Sequence, residues 1–187
     1  GIFTFADDAK ESYELMIKYI SLAEKELKQK SRSIRVKNYQ EKKITASLIA
    51  NLIRQQISIK ANQQIDRKVV YFYKPNFLDE FFSHSKLKQF TTQGPVTPDH
   101  VIRIKSKPLV IDLSGEKSIN LESKIIKAIQ KYQDDYQKYF KRNHKYNSKA
   151  NMLDPYPRLI VVKGIGMFST GPSLKDAKIA MDVGLNS

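Results

Sequence analysis

Near its two ends the chain carries the same short pattern. Gly1-Ile2-Phe3-Thr4 is followed by Asp8-Ala9-Lys10 and an amphipathic stretch, and Gly166-Met167-Phe168-Ser169 is followed by Asp176-Ala177-Lys178 and another, with three extra residues between the two blocks. A glycine turn, an aromatic, a hydroxyl residue and a capped helix recur in one order. That order predicts two related units, the end of one followed by most of a second. The turn at Gly1 has no strand before it, so the expectation is a fragment of a longer polypeptide.

Between the repeats, local signals alternate. Asp8 with Glu11 resembles a capping box, and Tyr13, Met16, Ile17, Ile20, Ala23 and Leu27 at helical spacing predict a helix over 8–29. Residues 30–43 lose this rhythm and carry Lys30, Arg32, Arg35, Lys37, Lys42 and Lys43, a basic connector. Ile44, Leu48, Ile49, Leu52, Ile53 and Ile57 open a second helix at the start of a domain over 44–187.

The apolar runs 69–73, 101–105, 109–113 and 159–162 read as strands. Asn76 and Ser85 can cap short helices, and a long helix carries Leu121, Ile125, Ile129, Tyr132 and Tyr136. Ser173 with Asp176 caps the last helix. Strands interleaved with helices predict an α/β fold, a layered sheet with flanking helices.

Composition narrows the chemistry. Cysteine is absent among the 187 residues. Thiolate metal sites, disulfides and cysteine nucleophiles are therefore excluded, and a reducing, cytoplasmic setting is the expectation. No apolar run reaches the length of a membrane span. The formal net charge of +14 would attract phosphates, nucleic acid or acidic surfaces, although lysines scattered over helices read first as solvated faces.

The densest polar cluster is Thr97-Pro98-Asp99-His100-Val101-Ile102-Arg103-Ile104-Lys105. As a turn entering a strand, it sets Arg103 and Lys105 on one face by period two. Asp99 and His100 are then candidates for an acid/base pair or a partial metal site, with Arg103 and Lys105 gripping an anion. The plainer reading of Asp99 and His100 is structural hydrogen bonding. Zinc needs three or four converging ligands, and His84 and His144 stand in unrelated contexts, so no metal site is expected.

The turn Gly164-Ile165-Gly166 with Gly171 lies between a strand and a helix, where glycines can cradle a pyrophosphate. Its spacing is not GxGxxG, and glycines that let a strand turn into a packed helix explain it better. No cofactor is expected here. Tyr132, Tyr136, Lys138, Tyr139, Lys141 and Lys145 could stack on single-stranded nucleic acid, but at helical spacing the tyrosines read first as core.

Three blocks together resemble a family. Residues 1–27, then Gly94-Pro95-Val96-Thr97-Pro98-Asp99-His100-Val101-Ile102-Arg103, then Met152-Leu153-Asp154-Pro155-Tyr156-Pro157-Arg158 running into Gly164-Ile165-Gly166-Met167-Phe168, are similar to bacterial bifunctional class II aldolase/short-chain dehydrogenases of the rhamnulose-1-phosphate aldolase/alcohol dehydrogenase type. The resemblance implies a parent protein with a zinc-dependent aldolase domain and an NAD-linked dehydrogenase, acting on a sugar phosphate. This chain would lie between the two active sites.

The resemblance also implies that residues 1–29 end an upstream aldolase-like unit. Residues 44–187 would be a degenerate repeat of the class II aldolase fold, with Ile165 at the position of the third metal ligand. A non-catalytic segment follows, its partners being the rest of the polypeptide and a homo-oligomer interface. Two alternatives stay open. One is a basic anion- or nucleic-acid-binding module; the other is a small enzyme centred on Asp99, His100, Arg103 and Lys105.

Overall fold

A computed structural model describes residues 2–30, 45–61, 64–95, 97–113 and 120–186. It divides the chain into two compact units, Gly1–Arg35 and Val36–Ser187. The expected connector over 30–43 lies, from residue 31 on, outside the described residues.

In the first unit, residues 2–6 lead into helix α1 (Ala9–Lys30). Asp8 Oδ1 accepts the N–H of Glu11 at 2.8 Å, the cap expected from these residues. Thr4 Oγ1 donates to the carbonyl of Ser12 at 2.8 Å, and Ser12 Oγ donates to the carbonyl of Thr4 at 2.9 Å. These bonds tie the entering segment to the first turns of α1. No residue of α1 is fully buried.

The second unit has three layers. Its sheet runs in the order β3 (Val69–Tyr73), β6 (Gly166–Gly171), β5 (Leu159–Val162), β4 (Leu109–Ile111). Strand β6 is antiparallel to both neighbours, and β4 is parallel to β5. A separate hairpin pairs β1 (Ile59–Ala61) with β2 (Gln64–Asp66).

All four residues of β5 are buried, and period two sends them alternately into two cores. Ile160 and Val162 meet Ile49, Ile53 and Ile57 of α2 (Ala46–Ile57) and Leu121, Ile125 and Ile129 of α6 (Leu121–His144). Leu159 and Val161 meet Ala180 and Met181 of α7 (Leu174–Leu185), together with Phe82, Leu87 and Ile104. Phe82 lies on α3 (Asp79–Ser83), Leu87 on α4 (Leu87–Thr91) and Ile104 on α5 (Pro98–Ile104). Each covering helix presents an apolar stripe at helical spacing, which is why the expected layered α/β fold forms.

The structure corrects several local expectations. Residues 101–105 are no strand: Pro98–Ile104 is helix α5. Pro98 stands in its first turn, where a missing N–H leaves no bond unmade, and Thr97 takes the extended conformation of an N-cap residue. Nor do Asn76 and Ser85 act as caps, since the short helices there are preceded by Pro75 and Lys86. The glycine turn before α7 is followed by a full strand, β6.

The repeat also changes register. Ser173 Oγ accepts the N–H of Asp176 at 3.2 Å, so α7 begins before the Asp176-Ala177-Lys178 triplet rather than at it. Asp8 is therefore the counterpart of Ser173, and Glu11 that of Asp176, with no gap between the blocks. In this register Thr4 matches Ser169, whose Oγ donates to the carbonyl of Ala177 at 2.6 Å, the residue matching Ser12.

Candidate functional site

Of the residues singled out around 97–105, His100, Arg103 and Lys105 do not converge. Thr97 Oγ1 and His100 Nδ1 are 2.7 Å apart, a bond that closes the first turn of α5. His100 Nε2 is shielded and has no hydrogen-bond partner. Asp99 follows Pro98 in the same helix. Arg103 is exposed on its outer side, while Lys105 is buried just past its end. Arg103 and Lys105 therefore do not share a face, and the pair cannot grip one anion. The remaining histidines lie elsewhere: His84 beside Phe90 and His144 beside Phe140.

Lys105 is the centre of an organised polar cluster. Its backbone N–H bonds to the carbonyl of Val101 at 2.9 Å, ending α5. Its φ of 64° and ψ of −179° lie in a region that glycine favours, a strain of about 1–3 kcal/mol for other residues. That turn carries the side chain inward, where it is 2% exposed. Nζ donates to the carbonyls of Asp154 and of Tyr156, the latter at 2.6 Å. It also lies 3.9 Å from the Asp154 carboxylate and 4.1 Å from the centre of the Tyr136 ring.

Asp154 in turn pairs with Arg158, and Thr170 Oγ1 of β6 donates to the carbonyl of Pro157 at 2.7 Å. Tyr132 OH reaches the carbonyl of Lys107 at 3.0 Å. The segment 154–158 is thus fastened to the end of α5 on one side and to the sheet on the other. A primary amine bonded to two carbonyls and shut off from solvent holds a loop; it is not placed to attack a carbonyl substrate.

Burial lowers the Lys105 ammonium to about 8, against the opposing pull of Asp154. Burial also raises the phenols of Tyr132 and Tyr136 above their usual range. In the unfolded chain Lys105 returns to 10.5. Below pH 8 both states carry the proton and the folded state bears the full burial penalty. Between about 8 and 10.5 the unfolded state binds more protons, so this group's contribution to stability rises with pH. The difference in unfolding free energy between wild type and Lys105→Met, followed by urea denaturation, should therefore move in favour of wild type across that window. A flat or falling difference would show that burial is not the dominant influence.

A second place with binding chemistry was not legible around residues 97–105. An open groove of about 480 Å³ is lined by Asn51, Arg54, Gln55, Ser58 and Arg67. The first four recur at helical spacing along α2 and its C-cap, on the side away from Ile49, Ile53 and Ile57. Arg67 arrives from the turn after β2. Guanidinium groups with amide and hydroxyl donors suit a carboxylate or phosphate oxyanion. The polar face of α2 can be read from its sequence; the approach of Arg67 depends on the hairpin and cannot.

Among the described residues, no group of three His, Cys, Asp or Glu is arranged to hold a metal ion, and no helix is long and apolar enough to cross a membrane. The chain belongs to the family described as aldolase class II, second domain, which matches residues 44–187. It is also 26% identical over 192 aligned positions to an uncharacterized oxidoreductase, YuxG, of Bacillus subtilis (strain 168), an alignment that takes in 96% of this chain and 27% of that protein. The chain thus spans about a quarter of the length of this relative. No solved structure matches it.

Proposed function

We propose that residues 44–187 are a non-catalytic scaffold within a longer polypeptide of the bifunctional aldolase/short-chain dehydrogenase kind, acting on a sugar phosphate. The observation that carries this reading is the β5–β6 turn. Ile165, at the position that the resemblance gives to a metal ligand, packs its hydrocarbon side chain against the core formed with α2 and α6. Such a side chain offers zinc no donor atom.

The glycines of this turn fit a packing role in the same way. Gly164 and Gly166 have φ of 73° and 140°, which side chains rarely adopt. At Gly171 an added Cβ would come within 2.7 Å of the backbone nitrogen of Ala177, so this glycine lets β6 run close under α7. Ile165 therefore offers no zinc ligand, and packing accounts for these glycines.

A direct test offers the purified chain a ketose 1-phosphate with added zinc and follows dihydroxyacetone phosphate release. No turnover is expected. Turnover that disappears in His100→Ala would replace the scaffold reading with an enzyme centred on α5.

The Arg54–Arg67 groove favours a second reading, a basic anion-binding module. If it holds, a single-stranded oligonucleotide should bind weakly and without sequence preference, and binding should fall steeply as salt rises. The paired substitution Arg54→Ala and Arg67→Ala should then weaken binding further. Binding indifferent to both salt and these two arginines would exclude this reading.

A further inference from the structure

The first unit repeats the β6–α7 element of the second in bonding as well as in sequence. At a constant offset that pairs Gly1 with Gly166, a hydroxyl on the entering segment bonds to a helix carbonyl eight residues on: Thr4 to Ser12, and Ser169 to Ala177. Four residues after that hydroxyl, a side-chain oxygen caps the helix: Asp8 to the N–H of Glu11, and Ser173 to the N–H of Asp176. Burial follows the same register. Within residues 2–30 only Thr4, Ser12, Leu15 and Met16 are shielded, and their counterparts Ser169, Ala177, Ala180 and Met181 are all buried.

One difference stands out at the turn. Ala6 takes the place of Gly171, whose missing Cβ allows the closest approach of β6 to α7.

What the first unit lacks is the sheet. Phe168 is fully buried, with its ring centre 4.9 Å from that of Phe72. Its counterpart Phe3 is 85% exposed, as is Phe5. Thr4 bonds to α1 while Phe3 and Phe5 on either side of it stay exposed; in a strand, alternation would set these two on the face away from α1. That is the direction in which Phe168 leaves β6 to meet the α2 and α6 layer.

We infer that Ile2–Ala6 inserts as an antiparallel strand into the sheet of a further α/β unit of this class, with Phe3 and Phe5 buried beneath that unit's opposite helix layer. In residues 36–187 the equivalent place, antiparallel to strands on both sides, is filled by β6 itself. The partner must therefore present two apolar strands flanking an open place and an apolar layer on the far side from α1. Most of the YuxG relative lies outside its match to this chain, so a relative does carry chain enough for such a unit. The inference stands on the repeat, and the scaffold reading can fail without it.

The test uses the whole encoded polypeptide. Amide hydrogen exchange should show Phe3, Thr4 and Phe5 slowed at least about 100-fold relative to an unstructured chain, as expected for strands inside a sheet. A photo-reactive phenylalanine analogue at position 3 should cross-link outside residues 1–187. Phe3→Asp should abolish protection over 2–6 while the amides of β6 stay protected, which separates failed docking from failed folding. Free exchange at 2–6 in the unaltered protein would overturn the proposal. So would cross-links to residues 36–187, in the same chain or in a second copy.

Discussion

Phe168→Ala should lower the unfolding free energy of the second unit by about 3–5 kcal/mol, the range for truncating a fully buried aromatic side chain. Phe168 has no exposed surface and stands at the middle of β6, between β3 and β5. Its ring closes the core shared by α2, α6 and the sheet, so its removal leaves a cavity that the paired strands on either side cannot collapse to fill. Urea denaturation followed by far-ultraviolet circular dichroism measures the loss. Phe3→Ala in the same chain supplies the contrast. With Phe3 85% exposed, it should change stability by less than about 0.5 kcal/mol. A loss at Phe168 of under about 1 kcal/mol would mean that β6 is not an inner strand held between β3 and β5.

The difference between Phe168 and Phe3 also shows what can be read from residues alone. Both lie in the same local pattern, and local pattern locates caps and helices well: Asp8, Ser173 and the stripes of α1, α2 and α6 all stand where spacing places them. Val69–Tyr73 and Leu159–Val162 are likewise legible as short apolar runs, although only the second is buried on both faces and the first, at the sheet edge, is half-buried. Strand β6 is not. Its glycines and hydroxyl residues resemble a loop, and it is a strand because β3 and β5 pair with it from distant parts of the chain.

Residues 98–104 fail for a different reason. Val101-Ile102-Arg103-Ile104 fits a strand period as well as a helical one, and the deciding signal is Pro98 after an extended Thr97, a helix-start arrangement. The candidate site rested on the strand assignment. Once these residues form a helix, Arg103 and Lys105 separate. The partners of Lys105, Asp154 and Tyr156, come from about 50 residues further along the chain, and no spacing rule reaches that far. Of the two blocks 94–103 and 152–158, only the second supplies clamp residues, and Lys105 follows the end of the first.

That clamp sets the second large effect. Lys105→Met should destabilise the second unit by about 2–4 kcal/mol, because it leaves the shielded carbonyls of Asp154 and Tyr156 without their donor. The loss is moderated because Asp154 keeps Arg158 as its partner, so no isolated buried charge is created. Backbone strain can be separated from the clamp by comparing Lys105→Ala with Lys105→Gly. Both remove the ammonium, but only glycine accepts a φ of 64° with ψ near 180° freely. The glycine variant should therefore be the more stable of the two by about 1 kcal/mol, near the lower end of the cost of such a conformation. Native-state hydrogen exchange should show residues 150–158 losing protection in all three variants, while the helical amides of α1, in the other unit, are unaffected. If Lys105→Met retained wild-type stability and protection over 150–158, the ammonium would not be what fastens this loop to α5, and the fold's hold on the segment before β5 would have to come from Thr170 and Arg158 alone.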